Sequence, residues 1–335
     1  MSTGPASFRG RPVLGRTFAL SCALGLTVAF AAACSSSPSS GSNTPSSSTA
    51  GLPKAEVKDL AIISHLKKDP TIAAMLPAKY RGATIKVATD AAYAPDEFES
   101  ANHMIIGWDP EMGMALAKLL GVKFQFVNTA FDSIIPGLQA GRYDMAMSSM
   151  GPFPYRVKVV DFVTDFKAGL AFMIRSSEKN IHMTGLSSLC GLSVAAETGS
   201  IEGLDVQSQE KKCPSSKPEK ALVYPDQTTV NLALKSGRAQ VDFADSPIVA
   251  YQVALSNGAF KQSGPVIAQG YEGIALPKSV GIGPALTAAM NKLISDGVLR
   301  QLLDNWGQAG GVITHSVFIT NPAQVNANGG LTGKP

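Results

Sequence analysis

The sequence predicts an α/β protein in which strands of parallel sheet alternate with helices, and three observations lead there. Short apolar strand-like runs and amphipathic helical runs take turns from about residue 85 to residue 305, the signature of layered α/β architecture. The alternation occurs in two successive units, separated by an extended stretch that begins near residue 157 and reads as a crossover. The chain has 335 residues, 45% hydrophobic and 16% charged, which is enough apolar mass for one large or two medium domains. Low charge and plentiful Val, Ile, Leu and Phe exclude a disordered chain. A collagen, a coiled coil and a polytopic membrane protein are excluded as well, because there is no glycine period, no long heptad run and one membrane-length apolar stretch.

The elements follow in order. A helical lead-in covers 52–81, broken by Pro70 and Pro77. Ile85, Lys86, Val87 and Ala88 alternate as a half-buried strand. Asp109-Pro110-Glu111 reads as a helix start, with Asp as cap, Pro in the first turn and Glu complementing the dipole. Met112, Leu116, Leu119 and Leu120 form the apolar stripe of that helix, and Gly121 stops it. Val122, Phe124 and Phe126 mark the next strand, 132–140 a helix, and 143–147 a buried strand ending at Ser148-Ser149. Beyond the crossover, 192–196, 221–224 and 241–244 are expected strands, interleaved with helices from about Ser200, at 228–236 and at 247–255. The stretch 273–276 returns the chain to the first unit, and 284–293 and 296–305 close it as helices.

The leader sets the compartment. Arg9, Arg11 and Arg16 fall in an acid-free start, 17–33 is apolar or small, and Ala31-Ala32-Ala33 runs into Cys34. A basic start, an apolar core and small residues before the cut describe a secretory signal. Cys34 directly after them resembles the bacterial lipobox, although Ala31 stands where such motifs usually carry Leu or Val. The expected organisation is a lipoprotein signal peptide over 1–33, a lipidated Cys34 and a Ser-rich tether over 34–51. The competing reading is an uncleaved anchor, for which 17 apolar residues are short against a span of about 20. Without the leader's three arginines the chain holds 26 basic against 25 acidic residues, so charge gives no support to nucleic-acid binding. Cys190 and Cys213 then form the natural disulfide of an exported body, the alternative being two free buried thiols. No His or second Cys lies at zinc-ligand spacing beside either, and no metal or other cofactor is expected.

The specific signal is a long ordered string. Thr89-Asp90-Ala91-Ala92-Tyr93-Ala94-Pro95 precedes Phe98-Glu99 and Gly107-Trp108-Asp109. Phe131-Asp132-Ser133-Ile134-Ile135-Pro136-Gly137-Leu138, Gly141-Arg142-Tyr143-Asp144, Met147-Ser148-Ser149, Arg156 and Val160-Asp161-Phe162 follow in register. Over about 82–318 the chain resembles the family 3 extracellular solute-binding proteins, the polar amino-acid receptors of ABC importers. The Cys190 and Cys213 arrangement resembles their actinobacterial lipoprotein branch. The resemblance implies a two-lobed periplasmic-binding-protein-like fold of type II, with two crossover strands as hinge. Lobe 1 is expected at 82–168 plus 272–318, lobe 2 at 169–271, and a flexible tail at 319–335. It further implies a monomer anchored by its lipid on the extracytoplasmic face, with an amino acid or analogue as ligand and an ABC permease as partner. By the same resemblance Arg156 grips the ligand carboxylate and Asp245 receives its ammonium. Ser148, Ser149 and Gly151 supply donors, Gly199-Ser200 the opposing turn, and Tyr93 and Phe131 aromatic walls, with Asp90 close by.

The chemistry agrees with that assignment. A guanidinium fork meets a carboxylate through two parallel hydrogen bonds, and helix N-terminal N–H groups add to the anion site. With anion and cation contacts on different lobes, both are satisfied only by a closed cleft. One departure stands out: Gly151-Pro152-Phe153-Pro154 replaces the family's hydroxyl residue and Thr-bearing turn, and Pro152 is a candidate start for the helix holding Arg156. Each residue also has an ordinary reading. Arg156 suits a solvated helix, Asp245 an N-cap, Tyr93 and Phe131 a core, Ser148 and Ser149 a strand end, Gly199 and Ser200 a turn with its cap. Trp108 reads as packing, and the four scattered histidines carry no assigned chemistry. The alternative function is an enzyme on the same scaffold, a dehydratase or lyase, for which Glu97, Glu99 and Glu202 are the loose acid-base candidates.

Overall fold

A computed structural model describes residues 52–278 and 280–333; the expected signal peptide, Cys34 and the tether lie outside the described residues. The lead-in forms α1 (Lys54–His65) and α2 (Pro70–Ala74), and Asp69 caps α2 by accepting from the Thr71 and Ile72 amides. Strand β1 (Thr84–Thr89) leads into a small antiparallel ribbon of β2 (Ala92–Tyr93), β3 (Glu97–Glu99) and β4 (Ile105–Ile106). Then come α3 (Trp108–Leu120), β5 (Lys123–Asn128), α4 (Phe131–Gln139), β6 (Met145–Ala146) and α5 (Pro154–Val157). The long β7 (Val160–Arg175) leaves this half for β8 (Ser193–Glu197), α6 (Ile201–Glu210), β9 (Lys220–Tyr224), α7 (Gln227–Lys235), β10 (Val241–Asp245), α8 (Ser246–Leu255) and β11 (Phe260–Gln262). The chain returns through β12 (Ile267–Pro277) to α9 (Gly283–Ser295), α10 (Val298–Asn305) and β13 (Phe318–Ile319).

One ten-stranded sheet in the order β5-β1-β6-β12-β7-β10-β8-β9 runs through both lobes, with β11 and β13 also pairing β7. Its outer parts are parallel, as the alternation predicts: β1 pairs β5 and β6, and β8 pairs β9 and β10. The two central strands are antiparallel to each other and to their neighbours, because one carries the chain out of lobe 1 and the other brings it back. The lobe boundaries expected at 168/169 and 271/272 fall inside these strands. Their register breaks twice, between Ile267 and Gly270 and between Glu272 and Gly273, where Asp165 is the extra residue on β7. A bulge of this kind re-aims side chains beside a site.

Lobe 1 is held by α3, α9, α10 and α1 packed on the sheet around Trp108, Leu116, Leu120, Leu286 and Leu302, all nearly inaccessible. Each such side chain contributes about 1.5–3 kcal/mol by burial. Trp108 packs against Phe166 with centroids 4.6 Å apart and the rings tilted by 31°, so it is packing. Lobe 2 closes over Phe172 and Phe243, stacked at 4.5 Å. Tyr93, from the lobe 1 ribbon, packs into lobe 2 beside Ala171, Leu234 and Ile248.

Three expectations change. Helix α3 begins at Trp108 with Gly107 as its cap position, because the Asp96 carbonyl already accepts from the Asp109 amide; the Asp109 side chain is buried. Helix α5 begins at Pro154, not Pro152. The described part of the expected flexible tail, 319–333, is folded onto the body. Ile319 and Val325 are buried, Val325 bridges Leu331, and the Gly329 carbonyl accepts from the Tyr271 amide at 3.3 Å. The apolar side chains of Val325 and Leu331 supply the cohesion a free tail lacks.

Cys190 and Cys213 form the disulfide, joining the approach to β8 with the end of α6. Its loop spans a sequence separation of 23. Replacing both cysteines by serine is expected to lower unfolding free energy by roughly 3 kcal/mol in the chain-entropy model, read from urea midpoints of the two proteins.

Candidate functional site

The site is the cleft between the lobes, at the carboxyl ends of the strands of both units, where open α/β sheets bind ligands. Its walls include Asp90, Tyr93, Phe131, Ser148, Ser149, Gly151, Arg156, Ser200 and Asp245 among the expected residues. The structure therefore brings nearly the whole expected set to one cavity, with Gly199 beside it. Arg156 comes from α5 on one lobe and Asp245 from the end of β10 on the other, and both line the same space.

Arg156 is buried, and its two terminal nitrogens donate to the Gly151 carbonyl at 3.2 Å and, across the cleft, to the Gly199 carbonyl at 3.1 Å. Its guanidinium stands 5.3–5.5 Å from the ring centres of Phe131, Phe153 and Tyr155, an aromatic setting that attracts a cation. Burial draws it below its ordinary pKa, opposed by Tyr155, Glu202 and Asp245. Gly151 is explained by this cage: a Cβ there would meet the Phe153 ring at 2.5 Å. With the Phe153 ring in place, residue 151 has no room for a side chain. Gly199, at φ +82°, lets the lobe 2 turn come so close that a Cβ would stand 2.8 Å from that of Asp132.

Asp245 occupies the N-cap position of α8, yet its carboxylate makes no cap bond; it accepts from the Tyr93 hydroxyl at 2.8 Å. Burial raises its pKa to about 6, while Tyr93 and Arg156 hold it down. Ser200 does cap: its hydroxyl accepts from the Gly203 amide and donates to the Glu197 carbonyl. Ser148 accepts from the Asp90 amide and donates to Glu97 at 3.0 Å, and Ser149 donates to Asp96 at 2.9 Å. Ser149 holds a left-handed backbone, φ +44°, a strained state typical of functional sites. Asp90 orients α4 by accepting from the Phe131 amide at 2.8 Å.

Several lining residues were not singled out as binders. Glu97 and Glu202, unremarkable in the sequence, are almost fully buried in the cavity wall, and Glu197 and Glu272 join them; Glu99 is exposed and lies elsewhere. Burial first, and neighbouring acids next, push Glu97, Glu197 and Glu272 well above the usual carboxylate range; Glu202 is raised by burial and Asp245. Asn328 of the folded tail also lines the cavity, and its carbonyl lies where a Cβ on Gly270 would sit, at 2.1 Å. A lone acid inside Gly270-Tyr271-Glu272-Gly273-Ile274-Ala275-Leu276, an otherwise uncharged strand, is the sequence signal for Glu272. Among the described residues no group of three or more His, Cys, Asp or Glu is arranged to hold a metal ion.

The chain is 27% identical over 257 residues to the arginine-binding protein ArgT of Corynebacterium glutamicum, covering 76% of this chain and 84% of that one. It superposes on an ancestral arginine-binding protein bound to arginine with TM-score 0.61 and 29% identity, over 68% of this chain and 99% of that one. It matches equally an ancestral amino acid-binding protein described as a precursor of cyclohexadienyl dehydratase, with TM-score 0.61 and 28% identity over 70% and 99% of the two chains. Residues 85–309 match the bacterial extracellular solute-binding proteins, family 3, and with two thirds of its length in that match the chain belongs to this family.

Proposed function

We propose that this protein captures an α-amino acid in its cleft by hinge closure and delivers it to an ABC importer. It works as a monomer held by a lipid on Cys34 outside the cytoplasm. The observation that carries the reading is the placement of Arg156 and Asp245, from separate lobes, on one cavity. A carboxylate displaces the Gly151 and Gly199 carbonyls as partner of the Arg156 fork; a backbone carbonyl is the weaker acceptor for a cation. An ammonium finds the Asp245 carboxylate already oriented by Tyr93. Micromolar affinity requires about −8 kcal/mol in total, within reach of these desolvated charge-assisted contacts.

The relatives' names make arginine the first ligand to try. Isothermal calorimetry of the purified full chain against the twenty amino acids is expected to give micromolar binding for a subset that includes it. No heat from any of them would sink the reading. Prolonged incubation followed by mass spectrometry distinguishes the enzyme alternative, since a receptor returns its ligand unchanged and a dehydratase or lyase does not.

A further inference from the structure

The lobe 1 floor of the cleft carries acids with no cation to balance them. Glu272, on β12, is 4% exposed, lines the cavity, and neither of its carboxyl oxygens has a hydrogen-bond partner. The charges that act on it most strongly are those of acids: Asp245 from β10, Asp96 and Glu97 from the ribbon, Asp109 from α3 and Asp165 from the β7 bulge. Arg156 is the one base lining the cavity among the described residues, and its donors are turned to the Gly151 and Gly199 carbonyls. Asp96 and Glu97 are partly satisfied by Trp108, Ser148 and Ser149; Glu272 is not.

An ionised carboxylate with no donor, out of water and ringed by acids, is strongly disfavoured, so Glu272 is neutral in the empty cleft. We infer that Glu272 is the receptor for a second positive charge on the ligand, so that the preferred amino acid has a cationic side chain whose binding expels one proton. This rests on the amino-acid capture proposed above and adds to it the side-chain class. The proton leaves the Glu272 carboxyl for the buffer, and the carboxylate so formed accepts from the ligand's ammonium or guanidinium N–H. Burial and the Asp245 charge, which hold the Glu272 carboxyl well above its ordinary range, agree with that starting state. A neutral side chain of similar shape leaves the proton where it is.

The test is calorimetry of the full chain with arginine and with glutamine at pH 7, in phosphate and in Tris, whose ionisation enthalpies differ. Arginine is expected to release about one proton, and its affinity to rise about tenfold per pH unit while the group stays protonated in the free protein. Glutamine is expected to release none and to bind more weakly. Glu272→Gln is expected to abolish the arginine proton release and weaken arginine by roughly tenfold to a hundredfold, the worth of one charge-assisted bond. Cooperative melting of that variant, with Glu272→Asp retaining partial release, excludes a folding defect as the cause. Equal proton release in wild type and Glu272→Gln, or glutamine bound as tightly as arginine, overturns the assignment and leaves capture standing. Silence of arginine overturns this inference, whereas only silence of all twenty amino acids overturns capture.

Discussion

Arg156→Ala is expected to weaken amino-acid binding by about 3–5 kcal/mol, a loss of more than two orders of magnitude, as when one partner of a buried charge pair is removed. The cost is high because the ligand carboxylate would enter a cavity whose remaining side-chain charges are acids. Arg156→Lys is expected to recover little, since a point charge cannot make the two parallel bonds of the fork. It would also lose the guanidinium's cation–π contacts with Phe131, Phe153 and Tyr155. The alanine variant removes the bond to the Gly199 carbonyl as well, so melting of the empty protein should be followed alongside calorimetry. An affinity within twofold of wild type would remove Arg156 from the site.

Asp245→Asn is expected to cost about 2–4 kcal/mol of affinity for every α-amino acid, because an amide presents an ammonium with no charge. In the wild type this group has its own pH signature. Its pKa stands near 6, raised by burial, and an ammonium beside it favours the ionised form. Affinity should therefore fall as pH drops from about 7 to 5, and the Asn variant should show no such fall from this position. For folding the sign is opposite. The raised value makes Asp245 most favourable to the empty fold below its unfolded pKa, and that contribution is lost as pH rises through about 6. The two cleft acids are expected to separate by ligand: substitution of Asp245 should affect cationic and neutral amino acids alike, and substitution of Glu272 the cationic ones.

Much of this was legible in the sequence because it is written locally. Helices α7 and α8 and strands β8, β9 and β10 fall within a residue or two of their expected bounds, since apolar period and turn residues coincide there. Arg156 lies in the ordered motif string and Asp245 follows from the resemblance that the string carries; the structure places both on the wall of one cavity. What escaped depends on contacts between distant segments. The Asp109 amide finds a carbonyl on the ribbon, so the helix starts two residues earlier and the acid is left to the interior. The tail packs because Val325 meets Leu331 and Asn328 meets Gly270, pairings that no local period announces. The acidity of the cleft is distributed over the residue after β1, over β3, β8, β10 and β12, and over the first turn of α6, so no single window of the chain displays it.

The β7–β12 pair, the hinge under the proposed capture, lines the cavity as well. Glu272 stands at one lapse in pairing, opposite the extra residue Asp165, and Ala268, at φ +48° in the other lapse, also lines the cavity. A ligand touching these positions stiffens the ribbon that must flex to release it. Under the proposed capture, residence time is expected to depend on the ligand's side chain, and slowed deuterium uptake at 268–273 is expected to report occupancy.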